Sequence, residues 1–260
     1  MITFSTTAMM LRRVDFGDYD LILTLFTLDR GKISVIAKSA KKSKKRFPGI
    51  LELFSVSEVV CSRGRGLPVL QEASLKQPFI RIRSDIRKTA YASYWAELTN
   101  VWTEAEESQP LLFHLLYYVL GELDSGNIPE VLSILFQMRF MILSGFYPNL
   151  SHCGLCGIET EGMKNNRVIF DLARGELLCE KCVSVRDFGS VALPFRVFLS
   201  KGTIRQLLWV GNGDLEKAGR VRFSPLALRE GLAFLEAFVL FHLGMMPRSL
   251  GFLRQLRSAL

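Results

Sequence analysis

Two pairs of cysteines in the second half of the chain limit its fold more than any other feature. Cys153 and Cys156 form one C-x2-C pair and Cys179 and Cys182 form another, so the full spacing is C-x2-C-x22-C-x2-C. Each pair puts two sulfurs on one tight turn, and two such turns offer four thiolates for tetrahedral coordination. The spacing therefore predicts one structural zinc ion. Four thiolates leave no open coordination position, so catalysis by that metal is not expected.

The same four cysteines have other uses: redox chemistry, disulfides, an iron cluster or vacant thiols. Cysteines in two close pairs fit metal binding in a reducing compartment better than a secreted disulfide framework. Val168–Phe170 and Glu176–Leu178 flank Ala173–Gly175 like a small hairpin, which would bring the two turns together. His152 could replace one thiolate as a ligand, but a position outside the ligand set is the simpler expectation. Cys61 is interpreted as a small buried apolar residue.

Short apolar runs separated by glycines and charged turns dominate residues 6–76, which is a strand pattern. Strands are predicted near Thr6–Val14, Asp20–Leu28, Lys32–Lys38, Leu51–Ser62 and Leu67–Leu75. Five strands with one long polar connection suit a small closed barrel, and the oligonucleotide-binding (OB) fold is the common five-stranded form. An SH3-like barrel fits the pattern nearly as well.

Beyond Pro78 the apolar period changes to that of helices. Helices are predicted at about Arg83–Glu104, Pro110–Leu123, Pro129–Ser144, Pro194–Val210, Pro225–Leu243 and Pro247–Leu260. The predicted fold class is multi-domain α+β: an N-terminal OB-fold β-barrel followed by an α-helical domain with an inserted four-cysteine zinc module. The predicted domains are residues 1–80 for the barrel, 81–150 and 187–260 for the two parts of the helical domain, and 151–186 for the zinc insert.

Positive charge is concentrated in the first third of the chain. Residues 1–88 hold 17 Lys or Arg and 8 Asp or Glu, whereas residues 89–260 hold 16 and 17. A concentrated positive face steers and holds phosphates, so nucleic acid is the expected partner of the barrel. A lysine-rich surface kept for solubility is the alternative. Residues 89–138 contain seven acidic residues and no Lys or Arg, so this region should avoid phosphates.

A run of cations between the third and fourth predicted strands is the candidate nucleic-acid-binding segment. Its members are Lys38, Lys41, Lys42, Lys44, Lys45 and Arg46, and the cations that would extend the patch are Arg12, Arg13, Arg83 and Arg87. On an OB barrel a connection of this kind lies beside the face that receives a single strand. Nothing here encodes base readout, so little sequence specificity is expected. A solvated loop or a localisation signal would carry the same lysine run.

Signatures of catalysis and of membrane insertion are missing from the sequence. It has no G-x-x-x-x-G-K-[ST] phosphate loop, and no nuclease-like carboxylate cluster stands out, so we expect a protein that is not an enzyme. The first 20 residues lack the positive start, apolar block and cleavage site of a signal peptide, which predicts a cytoplasmic protein. Apolar windows at residues 128–146 and 226–246 contain charged residues and are predicted to be buried helices, not membrane spans.

Further segments outside the cysteine pairs follow one another in a characteristic order. They are Leu11–Asp20 leading into Leu23–Thr27, then Arg30–Lys38, then Arg139-Phe140 with Gly145–Tyr147, and finally His242-Leu-Gly, Arg248-Ser249 and Phe252-Leu253. Together with the basic barrel, the helices and the cysteine insert, they resemble the RecO family of bacterial recombination mediators and DNA repair proteins. Two departures are Asp18-Tyr19, where a Glu and a small polar residue are usual, and a lysine-richer loop at residues 41–46.

The resemblance implies an OB-fold DNA-binding domain, a helical domain, and zinc in members that keep the cysteines. It implies binding of single- and double-stranded DNA, annealing of complementary strands and, with RecR, help for RecA in replacing single-strand-binding protein on DNA. The resemblance also implies a cytoplasmic protein that joins the nucleoid during repair. The alternatives are a zinc-containing RNA-binding or transcription-associated adaptor and, third, a thiol redox enzyme.

The resemblance also implies a partner site, because family members bind the acidic, apolar C-terminal tail of single-strand-binding protein. Arg139 would pair with carboxylates of the tail above an apolar pocket formed by Phe136, Phe140 and Leu143. A helix packed in the core, with Arg139 paired to Glu130 or Glu97, is the alternative.

Overall fold

Five strands at the start of the chain form a closed barrel in the computed structural model, which describes residues 2–42, 47, 49–186 and 195–259. The strands are β1 (Ile2–Phe16), β2 (Asp20–Thr27), β3 (Gly31–Ala37), β4 (Val56–Arg63) and β5 (Val69–Gln77). Their order is β1-β2-β3-β5-β4, and β3 pairs with β5 in parallel. All five predicted strands are present. Residues 51–55, predicted as the start of the fourth strand, instead form turns in which the Ser55 hydroxyl donates to the Glu52 carbonyl over 2.7 Å.

Alternation of apolar and polar residues fills the barrel interior. In β3, Ile33, Val35 and Ala37 are buried, whereas Ser34 between them is exposed. This is the period of two that a strand with one wet face requires. Cys61 lies in the same core with no exposed surface, and burial raises its pKa to about 11. The interpretation of Cys61 as a buried apolar residue is confirmed.

Strand β1 has 15 residues and pairs with two neighbours. Its first part, Ile2–Met9, pairs with β4, and its second part, Ala8–Phe16, pairs with β2. The β1–β2 register shifts between Met10 and Arg12, which is a bulge that bends the strand. All residues from 12 to 19 are exposed, so this end of the β1–β2 hairpin is outside the barrel core.

Nine helices lie within the described residues. They are α1 (Ile80–Arg83), α2 (Ile86–Trp102), α3 (Pro110–Ser125), α4 (Pro129–Leu143), α5 (Glu180–Arg186), α6 (Lys201–Asn212), α7 (Leu215–Gly219), α8 (Pro225–Leu243) and α9 (Arg248–Ala259). The helix predicted at 83–104 begins later because Asp85 is the N-cap of α2, accepting from the backbone N–H groups of Arg87 and Lys88. None of the helices described is long and apolar enough to span a membrane.

The chain divides into two units, residues 1–127 with 247–260 and residues 128–246. In the first unit, α2 packs against α9, and α2 and α3 contact the barrel. Phe113 of α3 lies 5.9 Å from Phe26 of β2, measured between ring centroids. Packing therefore groups residues 81–127 with the barrel, whereas the sequence assigned them to the helical domain.

The second unit joins a small sheet to a helical core. Its strands are β6 (Asn149–Cys153), β7 (Arg167–Asp171), β8 (Glu176–Leu178) and β9 (Arg196–Ser200), in the order β6-β8-β7-β9. Helix α4 packs against α6, α7 and α8. Phe170 of β7 anchors the sheet, because its ring centroid lies 4.7 Å from that of Phe234 and 5.7 Å from that of Phe238 on α8.

The predicted hairpin between the cysteine pairs is confirmed as β7 and β8, which are antiparallel. The helix predicted at Pro194–Val210 is wrong over residues 196–200, which form β9 and pair with β7. Val197, Phe198 and Leu199 favour a strand once a partner edge is available, and periodicity alone cannot reveal that partner. The helix begins at Lys201, where the Ser200 side chain accepts the N–H of Thr203. The sheet thus continues beyond the predicted insert of 151–186.

Gly31 in the β2–β3 turn should not tolerate a side chain. Its φ is +63°, and a Cβ there would lie 1.8 Å from the Glu107 carbonyl oxygen. We expect Gly31→Ala to lower the free energy of unfolding by about 2 kcal/mol or more, since the positive φ and the backbone clash both cost energy. Urea unfolding would measure the change. Gly66→Ala is the matched control, because that site has open space; equal midpoints for the two variants would contradict the expectation.

Candidate metal centre and nucleic-acid interface

The four cysteines of the two C-x2-C pairs meet at one point. Their sulfur atoms all lie within 4.8 Å of one another, and the Cys156 and Cys179 sulfurs are 3.6 Å apart. Disulfide bonding would need about 2.05 Å. A tetrahedral ion with sulfur bonds of about 2.3 Å, the value for zinc, places its sulfurs about 3.8 Å apart. The arrangement therefore fits one metal ion ligated by four sulfurs.

Backbone hydrogen bonds set the two turns beside each other. The Cys153 N–H donates to the Ile158 carbonyl over 2.8 Å, and the Gly157 N–H donates to the Cys153 carbonyl over 2.9 Å. Gly157 adopts φ +74°, which closes this first turn without steric cost. The second pair follows β8, and Cys182 lies in the first turn of α5. Gly154 joins the two pairs by donating to the Leu177 carbonyl over 2.9 Å.

The pKa values of these thiols are shifted in opposite directions. Burial raises the pKa of Cys153, but backbone N–H groups, that of Cys179 foremost, more than offset this and lower the pKa to about 7. Burial and neighbouring sulfurs raise the pKa of Cys182 to about 12, and burial raises that of Cys179. One thiolate is therefore favoured and further ones are opposed. A divalent cation offsets that repulsion, so metal binding and proton release are coupled.

His152 lies outside the group of four sulfurs. It is exposed, its Nδ1 is 2.8 Å from the Ser151 hydroxyl oxygen, and its Nε2 is 3.2 Å from the Asn149 side-chain nitrogen. This agrees with the expectation that His152 does not replace a thiolate.

Three of the predicted DNA-binding lysines lie beside the turn that joins β1 to β2. Lys38, Lys41 and Lys42 follow β3 and are all exposed. The Lys41 N–H donates to the Tyr19 carbonyl over 3.0 Å, and its ammonium group lies 3.0 Å from the Asp15 carboxylate. The Lys42 ammonium is 5.2 Å from the centroid of the Tyr19 ring. Lys44, Lys45 and Arg46, the other predicted members, lie outside the described residues.

The four predicted arginines differ in their surroundings. Arg13 is held by the Leu51 carbonyl at 3.2 Å and by the Glu52 carboxylate at 3.1 Å. Arg83 donates to the carbonyls of Pro78 and Leu53, over 2.6 and 3.2 Å. Arg12 and Arg87 are exposed, and Arg12 lines a cavity of about 500 Å³ that also includes Arg248. Arg13 and Arg83 therefore support the fold. A ligand that entered this cavity could reach Arg12.

The predicted partner site requires a correction. Phe136 and Phe140 of α4 have no exposed surface, so they cannot line a surface pocket. Arg139 between them donates to the Gly213 carbonyl, and burial lowers its pKa, opposed by the nearby Asp214 carboxylate. Four positions further along, Leu143 is 42% exposed. Residues 130–138 of α4 are all buried, so for the two phenylalanines the alternative, a helix packed in the core, is the one observed.

Comparison with known proteins agrees with this architecture. The family model described as "Recombination protein O N terminal" matches residues 1–79, and that described as "Recombination protein O C terminal" matches residues 83–251. The chain belongs to the RecO family of DNA repair proteins. The resemblance inferred from the sequence is thus confirmed.

Three RecO proteins illustrate the similarity. The DNA repair protein RecO of Desulfosudis oleivorans is 45% identical over 259 residues, covering 98% of each chain. That of Desulfatibacillum aliphaticivorans is 44% identical over 257 residues and 97% of each chain. That of Bacillus cytotoxicus is 32% identical over 246 residues, which are 95% of this chain and 94% of the relative.

In this RecO family member, two exposed aromatic residues lie beside the lysines, and the sequence analysis did not predict them as binding residues. Phe16 and Tyr19 are each 51% exposed, whereas Phe47 and Phe54, which follow the lysine run in the sequence, are buried in the core. The signal was present in the sequence, since polar residues usually dominate turns and here two aromatics flank Gly17-Asp18.

Removing one sulfur ligand should remove the metal. We expect about one ion per chain in the wild type and a large loss of bound metal in Cys153→Ala, because three sulfurs leave a structural site open. Metal analysis of the purified chain would measure this. Cys61→Ala, which removes a thiol outside the cluster, is the control and should keep the ion. Undiminished metal in Cys153→Ala would contradict the assignment.

Proposed function

We propose that this RecO family member is a recombination mediator that is not an enzyme. In this proposal it binds single- and double-stranded DNA without strong sequence specificity, anneals complementary single strands and, with RecR, helps RecA replace single-strand-binding protein. Family membership supports the repair and recombination role. The barrel order β1-β2-β3-β5-β4 supports an OB fold, a five-stranded barrel that binds oligonucleotides through its face and loops.

The observation that carries the DNA-binding part is the group of exposed lysines fixed beside the β1–β2 turn. Lys41 holds that turn through its own backbone N–H, and Lys38 and Lys42 lie in the same exposed segment. Ammonium groups bind backbone phosphates as point charges and release condensed counterions, so affinity should fall steeply with salt. The contacts are with phosphates, which every sequence shares, and this accounts for weak specificity.

Annealing follows from the same chemistry. Two complementary strands repel through their phosphates, and a protein that neutralises phosphates on both strands lowers this barrier. The chemistry of base pairing belongs to the strands themselves. The protein therefore needs no catalytic group in this role.

We assign zinc to the four-sulfur site. Cys153, Cys156, Cys179 and Cys182 would hold the ion, which with four thiolates supplies structural stability and no reactive coordination position. The ion would tie β6 to β8 and α5, and β7 of the same sheet packs on α8 through Phe170. We propose that zinc braces this unit while the barrel contacts DNA.

A revised partner site for the acidic tail of single-strand-binding protein is also proposed. Arg139 is half-buried, and although its Nε is enclosed, the part of the guanidinium group that stays exposed is the cation available to a carboxylate of the tail. Leu143 lies one helical turn away and Tyr147 is 51% exposed, which supplies apolar surface in place of Phe136 and Phe140. A cytoplasmic protein that joins the nucleoid during repair is consistent with these partners.

Charge reversal of the lysine segment tests the central proposal. We expect the combined change of Lys41, Lys42, Lys44 and Lys45 to Glu to slow annealing of complementary oligonucleotides strongly. The salt slope of single-strand binding should fall by about 0.7 for each phosphate that the variant no longer neutralises. Fluorescence annealing and salt titration measure both effects.

A matched variant distinguishes location from net charge. Reversal of four exposed cations of the second unit, Lys164, Lys217, Arg220 and Arg222, changes the charge equally and should leave most of the activity. An unchanged annealing rate in the lysine-segment variant, or equal losses in both variants, would count against the proposal. RNA strands in the same assay would test the adaptor alternative.

Arg139 gives a separate test of the tail site. We expect Arg139→Ala to weaken binding of an acidic, apolar tail peptide at least about 10-fold, because a charge-assisted hydrogen bond is lost. Arg139→Lys keeps the charge and should retain part of the affinity. Peptide titration with fluorescence anisotropy measures the difference. Unchanged affinity in Arg139→Ala would exclude the site.

A further inference from the structure

Two aromatic rings are exposed at the end of the β1–β2 hairpin. Phe16 is the last residue of β1 and Tyr19 belongs to the turn, and each keeps 51% of its surface exposed. The bulge between Met10 and Arg12 precedes them, and β1 has no buried residue beyond it. Such bulges often re-aim side chains at functional sites. These rings therefore contribute little to the barrel core.

The turn that carries these rings is fixed in place. Asp20 accepts the backbone N–H of Ser39 over 2.7 Å, and the Tyr19 carbonyl accepts that of Lys41 over 3.0 Å. The Lys41 ammonium bridges to the Asp15 carboxylate at 3.0 Å and to the Gly17 carbonyl at 3.4 Å. Contacts to the segment after β3 thus hold the turn from both sides. A ring held by a fixed turn loses little conformational freedom when a ligand binds it.

Apolar surface and positive charge lie next to the rings. Side chains two apart in a strand share a face, so Phe16 shares its face with Val14, which is 40% exposed. Val14 is directly opposite Ile22 on β2. The Lys42 ammonium lies over one face of the Tyr19 ring, 5.2 Å from its centroid, and Lys38 and Lys41 follow β3 nearby. Flat apolar rings beside ammonium groups match the two chemical parts of a nucleotide.

We propose that Phe16 and Tyr19 form a stacking platform for unpaired bases, with the flanking lysines contacting the adjoining phosphates. This inference rests on the proposed DNA binding and adds to that site a preference for single strands over duplex. A base in a duplex is already stacked on its neighbours and has no free face, whereas a single-stranded base has two. The platform is tolerant of sequence, because every base has a π-face.

A double-mutant cycle between protein and ligand tests stacking directly. One arm replaces both rings, Phe16→Ala with Tyr19→Ala, and the other replaces a thymidine oligonucleotide by an abasic strand of equal length and charge. We expect the ring change to weaken binding of the thymidine strand by about 5-fold or more for each stacked base. On the abasic strand the same change should have little effect, since the interaction is already absent.

Two further readouts separate stacking from charge. Affinity for a duplex of the same length and the salt slope of single-strand binding should both stay at the wild-type value, because every phosphate contact is retained. The ring-preserving exchange, Phe16→Tyr with Tyr19→Phe, should restore thymidine binding. Leu67→Ala with Leu75→Ala is the matched control: both leucines are exposed on the same barrel, at 46% and 39%, and their truncation should change nothing.

Each outcome decides the question. Additive losses in the cycle, or equal weakening on duplex and single strand, would overturn the stacking platform while leaving phosphate binding by the barrel intact. Unchanged thymidine binding in the alanine variant would overturn it as well and would reassign the two rings to a protein contact. If the wild type bound no oligonucleotide at low salt, the proposed DNA-binding function itself would fail, and this inference with it.

Discussion

Closure of the N-terminal barrel depends on the length of one strand. Strand β1 pairs with β4 through its first half and with β2 through its second half, so it supplies both the last and the first seam of the barrel. A barrel without free edges satisfies its backbone groups internally and does not template association with other chains. The bulge after Met10 lets the same strand leave the core and carry an exposed hairpin end. The barrel seams and the proposed ligand surface are thus built from one continuous segment.

The excess of positive charge and the four-sulfur site lie in different parts of this chain. Residues 1–88 hold 17 Lys or Arg against 8 Asp or Glu, and in this part of the chain Lys41 is tied to the β1–β2 turn by hydrogen bonds. The four sulfurs lie in the other unit, where they connect two turns of a small sheet. A closed four-thiolate site is suited to stabilising folded structure and not to chemistry. The exposed lysines and the four-sulfur site therefore need no direct contact with each other in the proposed function.

Arginine is the residue type for which sequence-based assignment was least informative. Arg13 and Arg83 occur in the basic region, yet each donates to main-chain carbonyls and so supports the fold. Guanidinium groups are well suited to such contacts because they present several donors in a rigid plane. Arg139 also donates to a main-chain carbonyl, that of Gly213. Its Nε is a buried donor that has no partner in the part of the chain described. Charge count alone cannot distinguish these environments.

The sequence by itself determined the parts that depend on local pattern. Alternation in β3, the N-terminal prolines of α3, α4 and α8, and the spacing of the cysteines each specify a local structure through short-range sterics or ligand geometry. Tertiary structure alone decided the remainder. Residues 196–200 became β9 because β7 offers a pairing edge, and Phe136 and Phe140 were buried by the helices packed on α4. These outcomes depend on which distant segments meet, and that information is spread over the whole chain.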